Sequence, residues 1–133
     1  MSVTYTLEQS YGSKIGAEGL GFFLYNETGD FNAVPGETSS RGQIGTPPNV
    51  IAPEKRMLSS MTPTIIAKEG KAAYVIGSPG GRTIINTVLQ VSLNLIDHGM
   101  DIAQAVEAGR LHHQWIPDIT SFEQWTISPA TNT

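Results

Sequence analysis

Apolar positions along this chain fall into separate short β-like runs before residue 77 and follow a three-to-four-residue period after residue 81. Residues 2–7, Ser-Val-Thr-Tyr-Thr-Leu, alternate β-branched or aromatic side chains with smaller ones and predict a strand. Leu20 to Tyr25, short and rich in aromatics, predicts a second, with Tyr11-Gly12 and Gly16, Gly19 and Gly21 as punctuation around it. Met61 to Ala67 and Ala72 to Gly77 are β-rich runs flanking the polar Lys68-Glu69-Gly70-Lys71, which predicts a hairpin.

The helical period sets in after Gly77-Ser78-Pro79-Gly80-Gly81. Ile84, Ile85, Val88, Leu89, Ser92, Leu95 and Ile96 fall on one stripe, and His98-Gly99 supplies a stop. A second helix is expected from Ile102 to about Gly109, with Asp101 as N-cap and Gln104 reaching back in a capping box. Residues 112–133 read as irregular. Between Asp30 and Glu54 four prolines and three glycines leave no period at all, so a long loop is expected, of the kind that serves as lid or binding loop. Strands first and helices later imply an α+β fold or a layered α/β one, with helices packed on one side of a mostly antiparallel sheet. The chain opens inside a predicted strand and closes on an uncompleted polar run, which suggests truncation or a missing partner chain.

Composition narrows the functional classes. At 133 residues one domain is expected, and 39% hydrophobic with 15% charged residues is globular rather than disordered material. The net charge of −4 with scattered Lys and Arg argues against a nucleic-acid partner. No apolar run approaches the roughly 18 residues needed to cross a bilayer, and the first residues have neither the basic nor the apolar region of a signal peptide. The absence of cysteine removes disulfide and thiolate chemistry and leaves the compartment open.

Three segments could carry chemistry. The glycine pair Gly80-Gly81 at a helix start leaves backbone N–H groups uncovered, where the helix dipole favours an anion; a tight turn that needs glycine only for its angles is the plain alternative. Ser59 and Ser60 stand at the start of a strand after the long loop, where adjacent hydroxyls bind a carboxylate or simply make a turn. Glu27 and Asp30 place two carboxylates three residues apart in a bend, suited to an ammonium group or to an ordinary acidic turn. His112-His113 lacks a third ligand at a familiar spacing, so packing or hydrogen-bonding roles are expected rather than zinc. No Gly-x-Ser-x-Gly elbow and no Walker loop is present.

In order and spacing, Thr4-Tyr5-Thr6-Leu7-Glu8 with Tyr11-Gly12, then Asn26 to Phe31, Lys55 to Pro63, Gly77 to Gly81 and His112 to Asp118 resemble the small subunit of γ-glutamyltranspeptidases, within the N-terminal nucleophile hydrolases. The likeness covers nearly the whole of 1–133, which it casts as a single partial domain of an αββα sandwich. It implies an oxyanion hole at Gly80 and Gly81, carboxylate binding by Ser59 and Ser60, and ammonium binding by Glu27 and Asp30. Thr6 would hydrogen-bond near the nucleophile, and Glu8, which sits where relatives carry Asn or Glu, would be a further substrate-binding residue. The Val34 to Glu54 loop corresponds to the lid region. The implied reaction is attack of an N-terminal threonine on a γ-glutamyl carbonyl, with glutathione as one donor, a large subunit of the same precursor as partner, no membrane or nucleic-acid partner and no cofactor or metal. For bacteria the resemblance suggests a periplasmic or secreted enzyme.

Two departures from the family pattern stand out. The threonine nucleophile is expected just upstream of Ser2 and the substrate-clamping arginine in the large subunit, so this chain alone is expected to be inactive. Gly29 stands where many relatives have a second aspartate, which leaves Asp30 as the expected ammonium ligand. Rival readings are an N-terminal Ser2 nucleophile exposed by loss of Met1, a non-catalytic binding or assembly module derived from the enzyme, and a gene fragment without independent function.

Overall fold

The computed structural model describes residues 1–32, 34–37, 46–124 and 126. The chain divides into two compact units, Tyr5–Ser59 and Met1–Thr4 with Ser60–Thr133. Part of the expected lid loop, residues 38–45, and the end of the chain, residues 127–133, lie outside the described residues.

Within Tyr5–Ser59, β1 (Gly16–Ala17) pairs antiparallel with β2 (Phe22–Phe23). Two 3-10 turns follow, Glu27–Asp30 and Pro47–Asn49, and a parallel bridge joins Asn32 to Val50. The described side chains buried in this unit are Glu27, Asn32 and Asn49, all polar. Hydrogen bonds between loops therefore do the organising that an apolar core does elsewhere. Residues 2–7 run without a ladder, and the second expected strand shrinks to Phe22–Phe23. A β-pattern becomes a strand only when a neighbour takes up its backbone groups. Here the side chains of Val3 and Tyr5 remain mostly exposed, and Tyr5 instead sends its hydroxyl to the carbonyl of Phe23, 2.7 Å away.

The apolar core belongs to the other unit. Here β3 (Thr64–Lys68) and β4 (Lys71–Ile76) form the expected hairpin, closed by Glu69 and Gly70 with φ of 52° and 75°, the two positive angles that a tight primed turn needs. A register shift between Ile66 and Ala67 leaves Ile65 opposite Val75 and Ile66 opposite Tyr74. Ile66, Tyr74 and Ile76 face the core, whereas Ile65 and Val75 are exposed.

Ile85, Leu89 and Ile96 of the expected stripe are exposed, and helix α1 (Ile84–Ile96) buries Ile84, Val88, Val91, which lies outside that stripe, and Leu95, at spacings of four, three and four. Each such side chain contributes about 1.5–3 kcal/mol by leaving water. The helix ends at Ile96, and beyond it Gly99, with φ of 62°, lets the Met100 amide return to the carbonyl of Asn94 at 3.0 Å. Helix α2 (Ile102–Glu107) contributes Ala105 to the core. Its capping box is formed as expected, with the Gln104 amide 2.9 Å from Asp101 Oδ1 and the Asp101 amide 3.1 Å from Gln104 Oε1. β5 (Leu111–His112) and β6 (Ser121–Phe122) make a last short antiparallel pair, with Arg110 Nε 3.0 Å from Glu123 Oε2 beside it.

Candidate functional site

Three carboxylates gather in the Tyr5–Ser59 unit. Glu27 and Asp30 begin and end one 3-10 turn. Glu8 comes to the same turn from a distant segment, its Oε1 standing 3.5 Å from where a β-carbon on Gly29 would be. The backbone of Glu8 is left-handed, φ 70°, which costs a non-glycine residue on the order of 1 kcal/mol.

Several contacts hold that conformation in place. Thr6 Oγ1 accepts a hydrogen bond from the Glu8 amide at 3.3 Å. The next residue is clamped to Asn26 by a reciprocal pair, in which the Gln9 amide donates to Asn26 Oδ1 at 3.2 Å and Asn26 Nδ2 donates to Gln9 Oε1 at 3.1 Å. The Asn26 amide in turn donates to the carbonyl of Leu7 at 3.3 Å. Asn26 thus fixes Glu8 and, one residue along, Glu27.

Glu27 itself is 8% exposed, and its Oε1 is buried without a hydrogen-bond partner among the described residues. Burial, reinforced by the negative charges of Asp30 and Glu8, holds its carboxyl above the ordinary carboxylate range. A buried acceptor with two further carboxylates around it is costly by itself and is relieved by a cation that brings N–H donors. A primary ammonium has the charge and three donors.

The other candidate groups belong to two places. Ser59, exposed, ends the Tyr5–Ser59 unit, and its neighbour Ser60, half-buried, begins the main part of the other. In that second unit Gly80 and Gly81 have φ of 134° and 57°, and they lead into a 3-10 turn, Gly81–Thr83, that runs on into α1. Thr83 fastens the bend by giving both its amide, at 3.1 Å, and its hydroxyl, at 2.9 Å, to the carbonyl of Gly80. A β-carbon on Gly80 would collide with that hydroxyl. Neither glycine amide donates to another described residue, and both lie near the positive end of α1, a setting that suits an anion.

The histidine pair is engaged elsewhere. Asn86 Nδ2 lies 3.0 Å from His112 Nδ1, and His112 Nε2 lies 2.9 Å from Gln114 Oε1. The Trp115 amide donates to His113 Nδ1 at 3.2 Å, and His113 Nε2 is 2.9 Å from Asp118. His112 Nδ1 thus ties β5 to α1, and the other three ring nitrogens serve the bend after β5. Among the described residues no group of three or more His, Asp or Glu is placed to hold a metal, and no helix is long and apolar enough to cross a membrane. Sequence reasoning missed Gln9, Asn26 and Asn49. Their amide partners lie 9 to 19 residues away, and no periodic pattern signals such contacts.

The family model described as Gamma-glutamyltranspeptidase matches residues 1–133. The chain is 49% identical over 131 residues to a glutathione hydrolase proenzyme of Escherichia coli K12, covering 98% of this chain and 22% of that protein. It is 45% identical over 131 residues to one of Pseudomonas sp. strain A14, covering 98% and 23%. The chain thus spans less than a quarter of the length of these curated relatives. A solved γ-glutamyltranspeptidase of Helicobacter pylori superposes with a TM-score of 0.87 at 47% identity, over 98% of this chain and 70% of the solved chain. The fold is accordingly α+β, part of the N-terminal nucleophile hydrolase architecture, and the chain belongs to the γ-glutamyltranspeptidase family.

Proposed function

We propose that this chain forms the donor-binding portion, within a single partial small-subunit domain, of an enzyme that cleaves γ-glutamyl amide bonds, glutathione among them, by hydrolysis or by transfer to an amino acid or peptide. The observation that carries this reading is the buried, unpartnered Glu27 Oε1 in the company of Asp30 and Glu8. A γ-glutamyl group presents an α-ammonium and an α-carboxylate on one carbon. The three carboxylates suit the ammonium, and the hydroxyls of Ser59 and Ser60 suit the carboxylate. The relatives' names, glutathione hydrolase proenzymes, support both the substrate class and maturation from a precursor.

In this scheme a threonine from the region before Ser2, outside this chain, attacks the γ-carbonyl carbon with its Oγ, and the hydroxyl proton passes to the threonine's own α-amine. The amides of Gly80 and Gly81 stabilise the oxyanion of the tetrahedral intermediate. The C–N bond then breaks as the leaving amine takes up the proton, which leaves a γ-glutamyl ester. Water or an acceptor amine attacks that ester in the mirror sequence. Thr6, through its bond to the Glu8 amide, keeps the ammonium-binding carboxylate in position. A large subunit from the same precursor completes the site.

Release of p-nitroaniline from γ-glutamyl-p-nitroanilide by the complete protein tests the proposal. Turnover that is weakened in KM by Glu27→Gln supports it. A folded, complete protein that binds γ-glutamyl compounds without turning them over would overturn the enzymatic part.

A further inference from the structure

Asn49 is 7% exposed and closes the 3-10 turn Pro47–Asn49, whose two prolines stiffen it. Its side-chain amide uses both ends. Nδ2 donates to the backbone carbonyl of Asp30 at 2.7 Å, and Oδ1 accepts from the backbone amide of Leu58 at 3.0 Å. Its own carbonyl accepts from the Asn32 amide at 3.0 Å, and Asn32 in turn receives the Ile51 amide at 3.4 Å. Lys55 folds its Nζ back to the carbonyl of Val50 at 2.8 Å, which tightens the segment leading to Leu58. One planar group therefore ties the residue that ends the acidic turn to the residue before Ser59.

We propose that Asn49 is the positioning residue that sets the spacing between the acidic turn and the serine segment, and so between the groups that receive the ammonium and the carboxylate of the γ-glutamyl donor. The inference rests on the donor-binding reading above. The two ligand groups sit on one substrate carbon, so their receptors must be held at a fixed separation, and among the described residues of this unit, whose buried side chains are all polar, hydrogen bonds do so. The chemistry selects asparagine. Aspartate keeps the acceptor for Leu58 but offers no donor to Asp30, alanine offers neither, and glutamine is one methylene too long for both bonds at once. Removing the amide takes away the bond that each of the two loops makes to Asn49, so nothing from this side chain fixes their separation.

The test uses the complete protein and steady-state kinetics with γ-glutamyl-p-nitroanilide for Asn49→Ala, Asn49→Asp, Asp30→Asn and the double variant Asp30→Asn with Asn49→Ala. Asn49→Ala is expected to raise KM about tenfold with kcat within about twofold, the pattern of lost ground-state positioning. Asn49→Asp, which keeps the volume and the Leu58 bond, is expected to raise KM by a similar factor and guards against a simple folding failure. The double variant is expected to be little worse than the poorer single variant, because Asn49 acts through the placement of the carboxylate that Asp30→Asn has already neutralised. Multiplying losses in the double variant, or an unchanged KM in a folded Asn49→Asp enzyme, would overturn the proposal alone. An unchanged KM for Asp30→Asn would overturn the ammonium reading, and this inference with it.

Discussion

Glu8 brings its carboxylate to within 3.5 Å of the point where a β-carbon on Gly29 would stand, although the two residues are far apart along the chain. That spacing is ordinary van der Waals contact, so a methyl group fits there but a further carboxylate would sit against Glu8. Gly29→Ala is expected to change stability by less than about 0.5 kcal/mol. Gly29→Asp is expected to destabilise by roughly 0.5–1 kcal/mol at low ionic strength, with the loss shrinking in high salt. Urea titrations of the complete protein at two salt concentrations read both effects.

Glu27 makes stability depend on pH in a definite direction. Its carboxyl is raised above the ordinary value of 4.5 in the folded protein, so the folded state holds that proton more tightly than the unfolded chain does. The associated stability is fully present below the ordinary carboxylate value and is lost as pH rises through the raised one. At neutral pH the ionised group is a burden. Glu27→Gln is therefore expected to stabilise the substrate-free protein by on the order of 1 kcal/mol at pH 7 and by progressively less in acid. The same variant is expected to bind the γ-glutamyl donor more weakly. Thermal melts at several pH values, paired with KM, test both halves; a lower Tm for Glu27→Gln at pH 7 would contradict the account.

At the glycine turn the expected signature is kinetic. Gly80→Ala places a methyl group against the Thr83 hydroxyl at a φ of 134°, and Gly81→Ala forces a left-handed angle of 57°. Each is expected to lower kcat by about 10- to 100-fold through a misplaced oxyanion donor, with KM within about threefold. A large KM effect with unchanged kcat would assign the turn to ground-state binding.

Asp101 offers a control remote from the proposed chemistry. Asp101→Ala removes the acceptor for the Gln104 amide and is expected to cost about 1 kcal/mol. In the complete protein Tm falls while KM and kcat stay near the parent values.

Legibility from sequence tracked the range of the interactions. The α1 bounds and the α2 capping box were readable because every residue involved lies within a turn of its partner: the period placed Ile84–Ile96, and the Asp101 to Gln104 spacing placed the cap. Residues 2–7 have strand-forming side chains but no described ladder, and no local pattern encodes the presence of a neighbour. Glu27 and Asp30 were visible as a pair within one bend. Glu8 joined them only through the family resemblance, because its approach depends on the long-range clamp between Gln9 and Asn26, which no local pattern encodes. Asn49 looked like loop composition after two prolines until its amide was found spanning Asp30 and Leu58.

The two-residue bend at Glu69 and Gly70 acts as a length gauge for everything downstream. Side chains alternate across a ladder, so one inserted residue would slip the register by a single step and exchange the inward set of Ile66, Tyr74 and Ile76 for the outward pair of Ile65 and Val75. An insertion at this bend is therefore expected to turn the core-facing side chains to solvent except where a second bulge absorbs it, as the register shift between Ile66 and Ala67 already does once.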